Sequence, residues 1–202
     1  MAKLLVYYAH PGHRYSHANK AMWRRARNVA DISQVDLYAE YPRFEIDIDR
    51  EQQRLVDHDV ILFQFPMFWY STPSLVKEWE DLVLEHGFAY GSGGTALKGK
   101  IFMLAVTAAG PKDAYTRAGY QHHDIRTFLT PLEQTANLCD MTFPAPYVLF
   151  SSLKAPAEGL IEPHAEGYGR MLEALRDDRY DFDAVADFDV VHHDNLPIRE
   201  AR

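Results

Sequence analysis

The stretch Lys3-Leu4-Leu5-Val6-Tyr7-Tyr8-Ala9-His10-Pro11-Gly12 decides the fold of this chain. Its first six residues form a continuous apolar run of strand length, and the Pro-Gly pair then breaks the run. Ser16 can cap a helix that begins around His17, because apolar residues follow at helical spacing, at positions 18, 22, 26 and 29. A fully apolar strand that leads through a loop into a helix is typical of a parallel sheet covered by helices.

The same alternation continues to residue 176. Further strands are predicted at residues 34–38, 60–65, 101–106 and 142–148. Further helices are predicted at residues 50–57 with Asp49 as cap, at residues 125–135 with Asp124 as cap, and at residues 162–176. Another helix is predicted to begin at Pro73, with Thr72 as its cap. The pattern predicts an α/β fold: a doubly wound, five-stranded parallel sheet of the flavodoxin-like order 2-1-3-4-5, with helices on both faces.

Composition restricts the class of protein. The chain has 202 residues, enough for one domain, and its 21 Lys and Arg against 29 Asp and Glu give a net charge of −8. An acidic chain has no general electrostatic reason to bind nucleic acid. The single cysteine, Cys139, excludes an intramolecular disulfide and a thiolate metal cluster and argues against thiol-based redox chemistry.

Cellular location and domain limits follow from the apolar and charged runs. No signal-peptide core is visible, and the most apolar stretch, residues 101–109, is far shorter than the roughly 20 residues needed to span a bilayer. We therefore expect a soluble, cytoplasmic protein that reaches the inner membrane only through a partner. One domain is predicted at residues 1–178, followed at residues 179–202 by an acidic tail outside the core.

The loop after the first strand is a candidate anion site. It leads into a helix N-terminus, where free backbone N–H groups and the helix dipole favour negative charge. Ser16 and Asn19 can add donors, and Arg14 or the histidines of this loop can add positive charge. The alternative is that Ser16 only caps the helix.

Two more loops complete the candidate site. After the third strand come three consecutive aromatics, Phe68-Trp69-Tyr70, which suit either a flat ligand or a subunit interface, or both. After the fourth strand, Thr107-Ala108-Ala109-Gly110-Pro111 allows a ligand to approach the backbone closely. An anion site, an aromatic wall and a small-residue loop together describe a site for a phosphorylated planar ligand, and flavin mononucleotide (FMN) meets all three demands.

Several longer motifs carry a family resemblance. They are Tyr-Ala-His-Pro (8–11), Ser-His-Ala-Asn (16–19), Tyr-Pro-Arg-Phe-Glu-Ile-Asp (41–47), Pro-Met-Phe-Trp-Tyr-Ser-Thr-Pro (66–73), His-Gly-Phe-Ala-Tyr-Gly (86–91), Gly-Gly-Thr-Ala-Leu-Lys-Gly-Lys (93–100) and Val-Thr-Ala-Ala-Gly (106–110). In these the chain resembles the NAD(P)H:quinone oxidoreductases of flavodoxin-like fold. It is most similar to the bacterial branch that includes the ancillary flavoprotein of glutathione-regulated potassium efflux systems.

The resemblance implies FMN as cofactor, with FAD as an alternative. It implies that the phosphate and ribityl chain are held by His10, Ser16, His17, Ala18 and Asn19. It implies that the ring system lies between two loops, formed by Pro66, Met67, Phe68, Trp69 and Tyr70 and by Thr107, Ala108, Ala109 and Gly110. The third loop is commonly Thr-Thr-Gly-Gly in this family, so Ala108 and Ala109 would act through their backbones.

The resemblance also implies the reaction and the catalytic residues. It implies two-electron ping-pong hydride transfer from NAD(P)H through the flavin to a quinone. Tyr115 matches a tyrosine that polarises the flavin or the quinone. His122 approximately matches a histidine with the same role, although its spacing is off by about one residue. Tyr90 matches a tyrosine that covers the substrate pocket from the partner subunit, so the resemblance implies a homodimer.

Two other functions stay open at this point, a regulatory subunit of a potassium efflux transporter and an azo- or nitroreductase. No metal is expected, because the adjacent histidines of His122-His123 and His192-His193 point apart.

Overall fold

The five-stranded parallel sheet predicted from the sequence is confirmed. The computed structural model describes residues 1–12, 14 and 16–200. Its strands are β1 (Leu4–Tyr8), β2 (Ser33–Asp36), β3 (Val60–Pro66), β4 (Ile101–Thr107) and β5 (Tyr147–Leu149). They lie in the order β2-β1-β3-β4-β5, and every neighbouring pair is parallel. This is the flavodoxin-like order 2-1-3-4-5.

Helices cover both faces of the sheet. They are α1 (Ala18–Ala26), α2 (Leu37–Glu40), α3 (Ile48–Asp57), α4 (Ser74–Val83), α5 (Ile125–Leu138) and α6 (Ile161–Arg176). Alternate residues of β1 point to opposite faces, so Leu5 and Tyr7 pack with α3, α4 and α5, while Leu4 and Val6 pack with α1 and α6. No helix of the described residues combines the length and apolarity that crossing a membrane requires.

Several element boundaries differ from the predicted ones because side-chain caps decide them. Asp36 accepts a hydrogen bond from the backbone N of Ala39 at 3.2 Å, which ends β2 at residue 36 instead of 38 and begins α2. Asp47, and not Asp49, caps α3 by accepting from the backbone N of Arg50 at 3.1 Å. The predicted cap at Asp124 is confirmed, since its carboxylate accepts from the backbone N of Thr127 at 2.8 Å.

The predicted caps of α1 and α4 are wrong. His17 occupies the N-cap position of α1, and among the described residues no side-chain cap hydrogen bond forms there. Pro73, instead of Thr72, occupies the N-cap position of α4, which begins at Ser74. The strand predicted at residues 142–148 is reduced to β5, because Pro144 and Pro146 have no N–H to donate to a neighbouring strand.

The segment after Arg176 does not lie outside the core, as the sequence predicts for an acidic tail. Tyr180, Val185 and Val191 are buried in the cluster that α1 and α6 share. Val191 extends the sheet beside β5, donating to the carbonyl of Pro146 at 2.9 Å and accepting from the N–H of Val148 at 3.0 Å. β5 is an edge strand whose outer backbone groups need partners, and this segment supplies them. A boundary between residues 178 and 179 stays a prediction.

Candidate functional site

The three loops predicted to form a site meet at the carboxyl edge of the sheet. β1, β3 and β4 are consecutive neighbours, so the loops that follow them are adjacent. Backbone hydrogen bonds join the starts of these loops, from Ala9 N to Gln64 O at 2.9 Å and from Met67 N to Thr107 O at 2.9 Å. In open α/β sheets ligands bind at this edge, where the strand order reverses between β1 and β3.

The first turn of α1 is fixed to the sheet by buried polar side chains. Asn19 is only 2% exposed and donates from Nδ2 to Thr107 Oγ1 at 2.7 Å. Gln64 donates from Nε2 to the backbone carbonyl of Asn19 at 2.8 Å. In the part of the chain that the structure describes, Gln64 Oε1 has no hydrogen-bond partner. A buried amide oxygen without a partner is costly, which marks this position as a place where a ligand or water donor would be stabilising.

His10 joins the first loop to the second. The backbone N of Gly12 donates to His10 Nδ1 at 3.1 Å. Nδ1 is therefore the acceptor nitrogen, and in the neutral ring the proton is on Nε2. The ring is also packed edge-on against Phe68, with centroids 5.9 Å apart. The imidazole thus has one orientation between the two loops.

A basic cleft lies beside the start of α1. It has a volume of about 460 Å³, and its charged lining consists of Arg14, His17, Lys20, Arg24 and Glu162. Ser16 lines the same cleft, so the structure brings Arg14, Ser16 and His17 of the predicted anion site together. Positive charge predominates here although the whole chain carries −8. Sequence reasoning missed Lys20 and Arg24, although Ser16, Lys20 and Arg24 recur at helical spacing of four.

The aromatic residues of the second loop face outward in a strained turn. Phe68 and Tyr70 are about half exposed, and Trp69 is 92% exposed. Trp69 and Tyr70 have φ of 47° and 65°, in the left-handed region that bulky side chains rarely adopt. Reciprocal backbone hydrogen bonds between Phe68 and Ser71, at 3.0 and 3.1 Å, hold the turn. Strain that presents an apolar ring to solvent points to a binding role.

The third loop has fewer free backbone donors than its composition suggests. The N–H of Ala108 donates to the carbonyl of Leu149 at 2.8 Å and so continues the sheet. Pro111 has no N–H. Ala109 is exposed, and its N–H makes no backbone hydrogen bond to any residue that the structure describes. The N–H of Ala109 is therefore a donor that this loop can offer to a ligand.

A cavity of about 300 Å³ lies between the second and third loops. It is lined by Met67, Trp69, Tyr70, Ala109, Gly110, Tyr115, Tyr120 and Gln121. The sequence predicts Tyr115 as a site residue but does not point to Tyr120 and Gln121, because nothing in their spacing distinguishes them from other surface residues. His122 is exposed with a φ of 61° and does not belong to the cavity lining.

Tyr115 lines this cavity and packs against other aromatic side chains. Its ring packs against Phe150 and Phe128, with centroids 5.5 and 6.2 Å away. Burial raises the pKa of the Tyr115 phenol, and the neighbouring phenols of Tyr120 and Tyr70 raise it further, so Tyr115 stays protonated at neutral pH. A Cβ at Gly110 would lie 2.9 Å from Tyr120 Oη and 3.2 Å from the Tyr115 ring, so only glycine fits there without displacing a ring.

Tyr90 lies in a different place from the cavity. It lines a groove of about 520 Å³ between α4 and α5, together with Leu84, Phe128 and Leu132. The rings of Tyr70 and Phe128 pack with centroids 4.9 Å apart, so the groove and the cavity share one wall. Within one subunit Tyr90 therefore does not join the other predicted site residues.

In the part of the chain that the structure describes, no group of three or more His, Cys, Asp or Glu side chains is placed to hold a metal ion. His192, one of the histidines considered as a ligand, packs on Phe150 and has its Nδ1 2.9 Å from the carbonyl of Val148.

Comparison with known proteins agrees with this fold. The protein-family model described as "Flavodoxin-like fold" matches residues 2–172. The chain is 43% identical over 170 residues to the glutathione-regulated potassium-efflux system ancillary protein KefG of Serratia proteamaculans, covering 84% of this chain and 92% of that protein. It is 43% identical over 156 residues to the uncharacterized NAD(P)H oxidoreductase YrkL of Bacillus subtilis, covering 77% and 90%.

Among solved structures, the chain is similar to general stress protein 14 of Treponema denticola in complex with FMN. The TM-score is 0.80 at 36% identity, covering 86% of this chain and 99% of that one. The family resemblance inferred from the sequence motifs is thereby confirmed.

Proposed function

Because the chain belongs to the family of flavodoxin-like fold, we propose that it is an FMN-dependent NAD(P)H oxidoreductase whose electron acceptor is a quinone. The observation that carries the proposal is the convergence of three loops. A basic cleft, an exposed aromatic turn and a small-residue loop meet at one edge of the sheet, beside an open cavity. This combination suits a cofactor with an anionic end and a flat ring system.

The residues present fit FMN. The basic cleft and the start of α1 suit its phosphate, with Ser16, His17, Ala18 and Asn19 as the holding residues and His10 beside them. The partnerless oxygen of Gln64 and the free N–H of Ala109 suit the polar hydroxyl and carbonyl groups of such a ligand. The ring would be held by Pro66, Met67, Phe68, Trp69 and Tyr70 on one side and by Thr107, Ala108, Ala109 and Gly110 on the other. The similar Treponema protein was solved with FMN.

The chain's own residues prepare the site for electron transfer chemistry. FMN, when bound, supplies the two-electron hydride chemistry between NAD(P)H and the acceptor. The phenol of Tyr115 is neutral and fixed by Phe150, so it can donate a hydrogen bond to negative charge that develops beside it. The cavity of about 300 Å³ between the second and third loops has room for one planar ring system and suits the FMN ring. NAD(P)H and the acceptor would then approach the exposed side of the bound ring in turn, which is a ping-pong scheme.

A homodimer is part of the proposal. The groove between α4 and α5 contains Tyr90 and the apolar side chains Leu84, Leu129 and Leu132. It shares a wall with the cavity through Tyr70 and Phe128. A second copy packed on this face would bring its own Tyr90 towards the cavity. Light scattering of the FMN-loaded protein tests the dimer, and a monomer would contradict this part of the proposal.

Colour and its reversal test the enzymatic function. The purified protein, or the apoprotein given FMN, is expected to be yellow, to bleach on anaerobic addition of NADH or NADPH, and to regain its colour with a benzoquinone. Steady-state rates at several quinone concentrations should give parallel reciprocal plots. Protein that neither contains nor binds FMN would overturn the proposal. If the FMN-bound protein reduces azo or nitro compounds but no quinone, the assignment of a quinone as acceptor is wrong and the acceptor is an azo or nitro compound.

The similarity to KefG favours a second role. The Serratia relative is named an ancillary protein of a potassium-efflux system, which suggests that this chain also acts as a subunit on a membrane transporter. In that role the chain would be cytoplasmic and peripheral at the inner membrane. Co-purification with the cell's potassium efflux transporter, compared in FMN-loaded and FMN-free protein, tests this role, and failure to co-purify in both forms would contradict it.

A further inference from the structure

The C-terminal segment after Arg176 contacts side chains that pack against the cavity. It lies outside the residues that the family model matches, since that match ends at residue 172. Val190 packs against the apolar cluster that contains Tyr115. The ring of His192 packs against Phe150, with centroids 5.8 Å apart. The chemistry described above gives these two contacts no role.

His192 is held in this segment by its ring and by its backbone. Its Nδ1 lies 2.9 Å from the carbonyl of Val148, and a carbonyl oxygen only accepts, so Nδ1 carries the proton and donates. Its backbone N donates to Asn195 Oδ1 at 2.6 Å. The preceding residue, Val191, is hydrogen-bonded to the backbone of Pro146 and Val148. These contacts together set the direction of the imidazole ring.

Phe150 connects this imidazole to the cavity. Its ring packs against His192 on one contact and against Tyr115 on another, with centroids 5.8 and 5.5 Å away. Tyr115 lines the cavity, whereas His192 and Phe150 do not belong to its lining. Packed side chains restrict one another, so a void beside Phe150 would allow its ring, and then the Tyr115 ring, to shift.

We propose that His192 is a positioning residue for the reaction, because its ring holds Phe150 in the place from which Phe150 orients the Tyr115 phenol. This inference rests on the proposed function, in which that phenol donates a hydrogen bond to developing negative charge. It gives the C-terminal segment a role in the reaction beyond its contribution to the sheet. The adjacent His193 has no such role, since its ring packs against His164 on α6, with centroids 6.1 Å apart.

The backbone of the third loop has its own supports and does not need the His192 ring. The N–H of Ser151 donates to the carbonyl of Gly110 at 2.9 Å, and the N–H of Ser152 donates to the carbonyl of Ala108 at 2.9 Å. Loss of the His192 ring is therefore expected to move side chains and to leave the cofactor-binding backbone in place.

The first experiment removes each of the two adjacent rings from the FMN-loaded protein. His192→Ala deletes the ring beside Phe150, and His193→Ala is the matched control from the same segment. We expect His192→Ala to lower kcat for a benzoquinone, per bound FMN, about three- to tenfold, the effect of weakening one neutral hydrogen bond. FMN affinity and the KM for the quinone are expected to stay within about twofold of the parent. His193→Ala should match the parent in all three measurements.

Two further variants test whether the aromatic contact carries the effect. His192→Phe keeps a flat ring beside Phe150 and removes the N–H, so its kcat should stay within about threefold of the parent. Phe150→Leu breaks the same series of contacts at its middle and should lower kcat as His192→Ala does. This variant also tests the inference independently of how well His192→Ala folds.

A double-mutant cycle shows whether His192 acts through Tyr115. Tyr115→Phe keeps the ring and removes the hydroxyl, so a displaced ring has no hydroxyl to misdirect. Added to Tyr115→Phe, His192→Ala should therefore lower kcat by less than about twofold. General destabilisation would give the same loss in both backgrounds, because independent effects add.

The Tyr115 ring can also be observed without flavin or turnover. In apoprotein labelled with fluorotyrosine, the fluorine NMR resonance of Tyr115 is the one that Tyr115→Phe removes. His192→Ala should shift or split this resonance, because the ring loses its single set of neighbours. His193→Ala should leave it unchanged.

The outcomes separate this inference from the function on which it rests. Parental kcat in His192→Ala, an equal loss in His193→Ala, or an undiminished loss in the Tyr115→Phe background overturns the role of His192 and leaves the proposed function intact. A parent that binds FMN but reduces no quinone overturns the proposed acceptor. The fluorine spectra then decide by themselves: an unchanged Tyr115 resonance in His192→Ala overturns the placement of Tyr115 by His192, and a shifted one supports it.

Discussion

Asn19 donates a hydrogen bond from its side-chain amide to the hydroxyl of Thr107 across 2.7 Å, between residues 88 positions apart in the chain. The bond joins the first turn of α1 to the last residue of β4. Gln64, on β3 between them, donates to the backbone of Asn19. The anion-binding end and the small-residue loop are thus linked through buried side chains before any ligand is bound.

Asn19→Ala should weaken both the fold and the site. The substitution leaves the buried Thr107 hydroxyl without its donor, which costs about 1–3 kcal/mol of unfolding free energy. FMN affinity is expected to fall about tenfold or more, because the first turn of α1 is no longer fixed. Urea unfolding of the apoprotein and FMN titration measure the two effects. Asn137→Ala, on the exposed face of α5, is the control and should change neither.

Trp69→Ala should affect binding without affecting stability. The Trp69 side chain is 92% exposed, so its removal is expected to change the unfolding free energy of the apoprotein by less than about 0.5 kcal/mol. Loss of an aromatic contact should weaken FMN binding by about three- to tenfold. Leu153→Ala removes another exposed apolar side chain and should leave FMN affinity unchanged. Parental FMN affinity in Trp69→Ala would contradict the assignment of the aromatic turn to the site.

His164 should make the folded state sensitive to acid. Its ring is buried against Tyr147, and in the described residues neither ring nitrogen has a hydrogen-bond partner. Burial, together with the nearby His193 and His192, lowers the pKa of His164 to about 3. Between about pH 6.5 and 3 the unfolded chain therefore binds a proton at this histidine that the folded chain does not. The contribution of His164 to the free energy of unfolding is highest above about pH 6.5 and decreases as the pH falls below that value.

His164→Phe should flatten this dependence. In the parent, His164 is expected to lower the free energy of unfolding by about 2–3 kcal/mol between pH 6.5 and 4.5. The variant lacks this contribution, so its free energy of unfolding should fall by about 2–3 kcal/mol less over the same range. Urea unfolding at the two pH values measures the difference. His123→Phe, at an exposed position, should retain the parental pH dependence. The same acid loss in His164→Phe as in the parent would show that His164 does not fold as a neutral, buried ring.

Val191→Ala should show that the C-terminal segment contributes to folding. Val191 is 0% exposed and pairs with the edge of the sheet. Removing its two buried methyl groups should cost about 2 kcal/mol, which lowers Tm by roughly 4–8 °C in a chain of this size. Val56→Ala, half exposed on α3, should lower Tm far less. Equal effects at the two positions would contradict the packing of this segment.

Local signals in the sequence were sufficient for the topology. Continuous apolar runs gave β1, β3 and β4, and helical spacing gave α1, α4, α5 and α6, because strands buried on both faces and amphipathic helices each leave a periodic trace. The boundaries were less secure. Whether Asp47 or Asp49 caps α3 depends on which carboxylate reaches a backbone N–H, and that is a matter of geometry that adjacent candidates cannot reveal.

The C-terminal segment and the groove of Tyr90 needed the tertiary structure. The acidic residues after Arg176 indicate a solvated tail, but the burial of Val191 depends on the vacant edge of β5, about 40 residues earlier in the chain. Tyr90 matches a family motif, but only the packing of α4 against α5 shows that it faces a groove instead of the cavity.

By itself, the sequence determined the strand order, the three loops and the residue types at the carboxyl edge of the sheet. Which of those residues meet was decided only by folding. Asn19, Gln64 and Thr107 become one hydrogen-bonded unit because parallel neighbours bring their carboxyl ends together. Gln121 enters the cavity and His122 leaves it because the chain turns at one left-handed residue. Backbone direction at a single position has no signature in composition or periodicity, so only the three-dimensional structure could assign it.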